Sequence, residues 1–208
     1  LVLIITPIKR RTKKLAFHKF IYLFTRLFLA TLFGIKTIRQ NTANERFEKP
    51  AVIIANHQSF ADILLLLSTT PKVVMVTNSW VWNSPFFGWV VKYADFHHAA
   101  DGYETLAERV KERISECYSV VVFPEGTRSR GGSMHRFQGG AFRIATRAGA
   151  PIVPVTIDGS YRLMEAQGFW IRPATVRVTI HPPVPTADLS REQVRSLPDQ
   201  VRDTIVSV

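Results

Sequence analysis

Cysteine is almost missing from this 208-residue chain, where Cys117 is the single one. One thiol excludes an internal disulfide and any zinc site assembled from several cysteines. Cys117 stands at the apolar approach to a β-branched run and reads as core. Acidic residues are also scarce, 16 against 27 lysines and arginines, which leaves a net charge of +11. Internal repeats and low-complexity tracts are absent. What remains is a chain long enough for one domain with a sizeable core and hardly enough for two. It opens on Leu1 rather than methionine, which leaves room for a larger polypeptide around it.

The positive charge is uneven. Residues 1–49 hold eleven of the basic residues against only Glu45 and Glu48, a net +9, whereas residues 50–208 carry +2. A basic arm attracts polyanions, either nucleic acid or an anionic membrane face. The stretch LAFHKFIYLFTRLFLATLFGI, residues 15–35, decides between them. Lys19, Tyr22 and Arg26 recur at helical spacing as one narrow polar stripe, and Phe17, Phe20, Ile21, Phe24, Leu27 and Phe28 fill the rest. A greasy helix with a basic lead-in suits a membrane interface. Lys19 and Arg26 inside it, and the lack of a cleavage-site pattern, argue against a simple span or a signal peptide. The competing reading is an amphipathic helix packed on the domain's own core, for which the stripe is narrow. Residues 1–49 are therefore read as a membrane-associating segment and 50–208 as the domain proper.

Within that domain, short β-branched runs alternate with helical patterns. Residues 51–55, 73–76, 119–123, 152–157 and 176–180 read as strands. Residues 59–67, 103–116 and 140–148 read as helices, the last closed by Gly149, and a polar helix follows Pro182–Pro185. This alternation predicts an α/β domain with a central mixed, largely parallel sheet flanked by helices. Pro154, inside a strand pattern, predicts an edge or a bulge.

Two segments at strand ends carry candidate chemistry, and strand ends are where α/β sheets build sites. In Asn56-His57-Gln58-Ser59-Phe60-Ala61-Asp62, a turn can bring the aspartate to the histidine, fixing its tautomer and stabilising the imidazolium as it takes a proton. The bland alternative is a capping box, with Ser59 as N-cap and Asp62 as its partner. On spacing alone the bland reading wins. The string Phe123-Pro-Glu-Gly-Thr-Arg-Ser-Arg-Gly-Gly132 packs a carboxylate, two guanidiniums, two hydroxyls and three glycines into ten residues. Guanidinium forks and glycine backbones suit an anion. An ordinary polar loop explains the glycines but not the Pro-Glu-Gly-Thr-Arg string.

In this order and spacing the segments resemble the 1-acyl-glycerol-3-phosphate acyltransferases and their PlsC-like relatives. The N-H-x4-D block matches Asn56, His57 and Asp62. The F-P-E-G-T-R-S block matches Phe123 to Ser129 without a change, and P-I-V-P-V matches Pro151 to Val155. The resemblance spans roughly residues 15–185, and its middle motif is highly specific. It implies a membrane-associated enzyme of phospholipid biosynthesis, on the cytoplasmic face of the cell membrane, that moves a fatty acyl group from acyl-CoA or acyl carrier protein to a lysophospholipid. It implies His57 as general base and Asp62 as its orienting partner, with no acyl-enzyme, metal or further cofactor. Glu125, Gly126, Thr127 and Arg128 would position the acceptor, Arg128 reading a phosphate and Gly126 offering a backbone donor to the oxyanion. The aromatic cluster Trp80, Trp82, Phe86, Phe87 and Trp89 is a candidate lining for the acyl chain, or else ordinary core.

The chain departs from the pattern where relatives carry a basic pair between the two motifs. No arginine lies between Arg46 and Arg109, and His97 and His98 stand near the expected place. Neutral imidazole is a poor substitute for a guanidinium clamp. Two alternatives follow: a different acceptor, such as an acylated amino acid or a specialised lipid, or a non-catalytic module of a larger lipid-handling protein. The presence of His57, Asp62, Glu125 and Arg128 together favours an active enzyme. Nucleic-acid binding has only the basic arm behind it.

Overall fold

The structure is a computed structural model and describes residues 10–32, 34–41, 49–129, 133–164 and 170–207. Its centre is a seven-stranded sheet in the order β1-β7-β6-β2-β5-β3-β4. The strands are β1 (Ile35–Gln40), β2 (Val52–Ala55), β3 (Val73–Thr77), β4 (His97–His98), β5 (Ser119–Val122), β6 (Ile152–Asp158) and β7 (Ala174–Ile180). Strands β6, β2, β5, β3 and β4 run parallel. Strand β7 turns back antiparallel to β6, and β1 pairs parallel with β7. Every residue of β2 and β5 is buried. That is why both read as unbroken apolar runs: helices cover both faces of a parallel sheet.

Eight α-helices flank the sheet among the described residues: α1 (Arg10–Thr31), α2 (Ala61–Leu67), α3 (Ser79–Trp82), α4 (Phe87–Tyr93), α5 (Tyr103–Ser115), α6 (Gly140–Ala148), α7 (Ser160–Leu163) and α8 (Arg191–Val206). Helix α5 buries Leu106 and Val110, and α6 ends on Gly149 at φ +64°, as the patterns predict. Ser190 and Gln193 form a capping box at the start of α8.

Several expectations are corrected. The first helix starts earlier than residue 15 and stops at Thr31, because residues 35–40 leave it to form β1 against β7. The sheet therefore reaches into the segment assigned to the N-terminal arm. Pro154 is neither at an edge nor in a bulge; it sits inside β6, opposite Ile54 of β2. Its missing N–H falls at the end of the antiparallel ladder with β7, whose register begins at Val155, and the Pro154 carbonyl still accepts from His181 N at 3.0 Å. Cys117 is exposed, not core, and holds a left-handed φ of +63° just past α5. Its place in a helix-terminating turn, rather than its neighbours' hydrophobicity, sets its exposure.

Helix α1 uses one face to dock. Phe17 packs edge-on against Trp89 and Tyr93 of α4, with ring centroids 5.9 and 4.8 Å away. His18 is buried against Tyr118, and Lys14 pairs with Asp95. The polar stripe is present as an Arg26–Tyr22 hydrogen bond of 2.8 Å. The remaining face holds Phe20, Leu23, Phe24 and Leu27, each more than half exposed.

Candidate active site

The parallel strands β2, β5 and β6 end on one edge of the sheet, and the loops leaving them meet there. Asn56, just past β2, locks two of them together. Its side chain donates to the Ile157 carbonyl at 2.8 Å and accepts from Ile157 N at 2.7 Å. The next residue, His57, is thereby held at the sheet edge.

The chain then turns so that Asp62, wholly buried in the first turn of α2, comes back to His57. Its Oδ2 lies 3.0 Å from His57 Nδ1 and accepts the backbone N–H of Gln58 at 2.7 Å and of Ser59 at 2.8 Å. An oxygen that already accepts two N–H groups faces Nδ1 as an acceptor, so Nδ1 carries the proton and Nε2 keeps its lone pair. The ring is 14% exposed, and Nε2 makes no hydrogen bond to the described residues. The two readings of this segment turn out to be one structure. The same carboxylate that ties down the turn also orients the imidazole, although the residue before α2 is Phe60 and Ser59 Oγ accepts from Ala61 N instead.

The loop after β5 forms the other wall. The Phe123 ring stacks on His57, with centroids 4.1 Å apart and planes 18° from parallel. Glu125 was expected at the acceptor, but its carboxyl faces inward. One oxygen accepts from His57 N at 2.7 Å and the other from His135 N at 2.8 Å. Burial raises its pKa, a shift that the two backbone donors partly offset. Ser129 closes the clasp, donating its N–H to the His57 carbonyl at 2.8 Å. Both backbone groups of His57 are thus held by the F-P-E-G-T-R-S loop.

Gly126 sits at φ +72°, and a Cβ there would stand 2.8 Å from the Gln138 side chain. Its N–H, the suggested oxyanion donor, is engaged here with the Phe123 carbonyl at 3.1 Å. Thr127 is exposed. Arg128 is half-buried and makes no hydrogen bond or ion pair among the described residues.

His97 and His98 form β4 at the sheet edge. His97 is buried, and desolvation, aided by Arg109 and Arg113, lowers its pKa to about 4. His98 stacks on Trp82 at 5.0 Å and contacts Ser79 Oγ through Nε2 at 3.0 Å. Arg109, absent from this region in sequence, pairs here with Asp101 of the same edge. The aromatic cluster divides, with Trp82 half-buried against the core and the others in the open. Trp80, Phe86, Phe87 and Trp89 are exposed, and Phe87 reaches Phe60 of the His57–Asp62 turn with centroids 5.7 Å apart.

Sequence reasoning missed Asn56 as a cross-brace, Ser129 and His135 as partners of the His57–Glu125 unit, and Phe123 as the surface under the imidazole. Ser129 and His135 act through their own backbone N–H groups, which leave no side-chain signature, and the Asn56 side chain acts on the backbone of a residue 101 positions on. Among the described residues, no group of three or more His, Cys, Asp or Glu side chains is placed to hold a metal ion.

The Acyltransferase family matches residues 34–158. The chain is 34% identical over 161 residues to the chloroplastic 1-acyl-sn-glycerol-3-phosphate acyltransferase BAT2 of Brassica napus, covering 72% of this chain and 45% of that protein. It is 30% identical over 190 residues to the human 1-acyl-sn-glycerol-3-phosphate acyltransferase alpha, covering 88% and 66%. It is 33% identical over 176 residues to the 1-acyl-sn-glycerol-3-phosphate acyltransferase of Salmonella typhimurium, covering 81% and 71%. The chain thus spans about half to seventy per cent of these relatives' lengths. The crystal structure of the Thermotoga maritima 1-acyl-sn-glycerophosphate acyltransferase PlsC superposes with a TM-score of 0.81 at 24% identity, over 99% of this chain and 85% of that one, and so shares the fold. A family match over more than half of the chain, and a relative one-third identical over most of both sequences, show that this chain belongs to the acyltransferase family of the 1-acyl-sn-glycerol-3-phosphate acyltransferases.

Proposed function

We propose that the chain transfers a fatty acyl group from a thioester donor to the free hydroxyl of a 1-acylglycerol-3-phosphate at a membrane surface. The observation that carries this reading is His57, with Nδ1 held by the buried Asp62 carboxylate and Nε2 left unbonded. Nε2 takes the acceptor's hydroxyl proton as the oxygen attacks the thioester carbonyl. The tetrahedral intermediate collapses with loss of the thiolate, which recovers the proton from the imidazolium. Asp62 stabilises that imidazolium. Glu125 and Ser129 act on the His57 main chain as positioning residues. Arg128, half-buried and unpaired among the described residues, is the group for the acceptor phosphate.

The lipid surface enters through the exposed aromatic and aliphatic side chains of α1, α3 and α4, which run from Leu27 to Phe87 beside the catalytic turn. No helix among the described residues is long and apolar enough to cross a membrane. The reading is therefore of a helix lying in the interface, with the basic arm drawn to anionic headgroups such as those of a cytoplasmic leaflet.

The test is turnover of radiolabelled acyl-CoA and acyl carrier protein by wild type and His57→Ala, with lysophosphatidate and a panel of other lysolipids. His57-dependent formation of phosphatidate supports the reading. His57-dependent turnover of another lipid alone would shift it to the acceptor that the missing arginines between 47 and 108 suggest. No His57-dependent product with any donor would sink it.

A further inference from the structure

Between α6 and α8 lies a groove of about 840 Å³ that the proposed mechanism does not use. Four arginines line it: Arg136 from the loop before α6, Arg143 from α6, whose guanidinium also lies 4.6 Å over the Tyr103 ring, and Arg191 and Arg195 from the first turns of α8. One carboxylate, Asp199, faces them. None of the four arginines makes an ion pair among the described residues. Several arginines elsewhere do have such partners. Arg147, one turn beyond Arg143 on α6, pairs with Glu104, Arg113 with Glu116, and Arg177 with Asp158. Like charges crowded around one concavity repel each other unless an anion joins them, and a concave wall focuses their field.

The groove has an apolar floor in buried Phe137 and in Leu189. It also adjoins the catalytic loop. Gln138, which lines it, donates its backbone N–H to the Pro124 carbonyl at 2.9 Å and covers Gly126 with its side chain. Pro124 and Gly126 flank Glu125, whose carboxyl holds His57.

We propose that this groove binds the phosphorylated adenosine end of a coenzyme A thioester, so that the pantetheine arm passes over Gln138 toward His57. The assignment rests on the acyl-transfer reading above. Arginine forks match phosphate oxygens in pairs, and a volume of this size suits a nucleotide with a floor for its base. A carrier protein would instead need an extended convex or flat face, and the arginines here line a concavity.

The experiment is calorimetric titration of adenosine 3′,5′-bisphosphate into the full chain, beside KM values for acyl-CoA, acyl carrier protein and lysophosphatidate. The variants are Arg191→Glu/Arg195→Glu, Arg191→Gln/Arg195→Gln and His57→Ala. Wild type and His57→Ala bind the nucleotide with affinity that falls as salt rises. Both arginine double variants weaken it by about tenfold or more, and the acyl-CoA KM rises in step while the lysophosphatidate KM stays. The glutamine pair controls for misfolding caused by reversed charge. Nucleotide binding that is absent in wild type, or equal in the double variants, overturns the proposal. So does a rise confined to the carrier-protein KM, which would mark a docking face, or to the lysophosphatidate KM, which would mark an acceptor site. Turnover that survives His57→Ala would overturn the mechanism and leave the nucleotide result standing.

Discussion

The His57–Asp62 turn and the apolar rim of α1 and α4 touch through Phe60 and Phe87, yet they are built on opposite rules. In the turn, Asp62 is wholly buried, and one of its oxygens serves three donors. Both backbone groups of His57 are held from across the sheet edge. On the rim, Phe20, Leu23, Phe24, Leu27, Phe86 and Trp89 are each more than half exposed among the described residues. The turn spends its polar groups on holding one imidazole still. The rim leaves apolar area uncovered in water, the area that the proposed lipid contact would bury. The two proposed roles are therefore separable, and each region is open to disruption without the other.

The sharpest break falls on the turn. Asp62→Asn keeps the size of the side chain but sets an amide against an environment built for an acceptor. Loss of kcat by about 10³- to 10⁴-fold is expected, with vesicle binding unchanged, from steady-state kinetics and flotation of the same preparation. A loss below tenfold would mean that Asp62 serves only the turn.

The next effect lies at the junction of the regions. Burial lowers the pKa of His18 to about 4, against the pull of Asp95 and helped by Arg113 and Lys14. His97 is lowered to about 4 in the same way, among Arg109, Arg113, Asp95 and Asp101. Both folded values lie below the unfolded 6.5, so the folded state binds fewer protons. Stability is full above pH 6.5 and falls as the pH drops toward 4, by roughly 3 kcal/mol for each histidine. Glu125 works in the opposite sense, because its raised pKa favours the folded state on acidification. Thermal melts between pH 7 and 4 should show the net fall, reduced in His18→Asn. A flat profile would show that the histidines charge without penalty.

The smallest effect falls on the rim. Leu23→Ser with Leu27→Ser removes exposed apolar area that only a lipid would bury. Partition onto anionic vesicles should fall by about tenfold for each leucine, with kcat in detergent micelles and the melting temperature unchanged. A lowered melting temperature with unaltered partition would place this face against protein instead.

Some of this organisation was legible in the residues. The unbroken β-branched runs of β2 and β5 showed buried parallel strands, and Gly149 marked the end of α6. Asn56, His57, Asp62 and the Phe123–Ser129 string announced a site at two strand ends. Other features were not legible, for physical reasons. Strand β1 has a mixed, half-exposed pattern, and its pairing with β7 is a long-range choice. The two residues of β4 are too few to show any period. Pro154 reads as an edge signal unless it is known where the neighbouring ladder starts.

The sequence by itself determined which chemistry is on offer: an imidazole, a carboxylate five residues on, a phosphate-seeking string, and a greasy basic arm. These follow from residue type and short-range spacing, which local backbone geometry converts directly into turns and faces. Only the tertiary structure decided the roles. It turned Glu125 inward onto the His57 main chain, engaged the Gly126 N–H in its own turn, put Cys117 in solvent, and gathered Arg136, Arg143, Arg191 and Arg195 around one groove. The reason is the same in each case. A backbone hydrogen bond, an exposure and a shared cavity are relations between segments far apart in the chain, and they acquire definite values only when the sheet has closed.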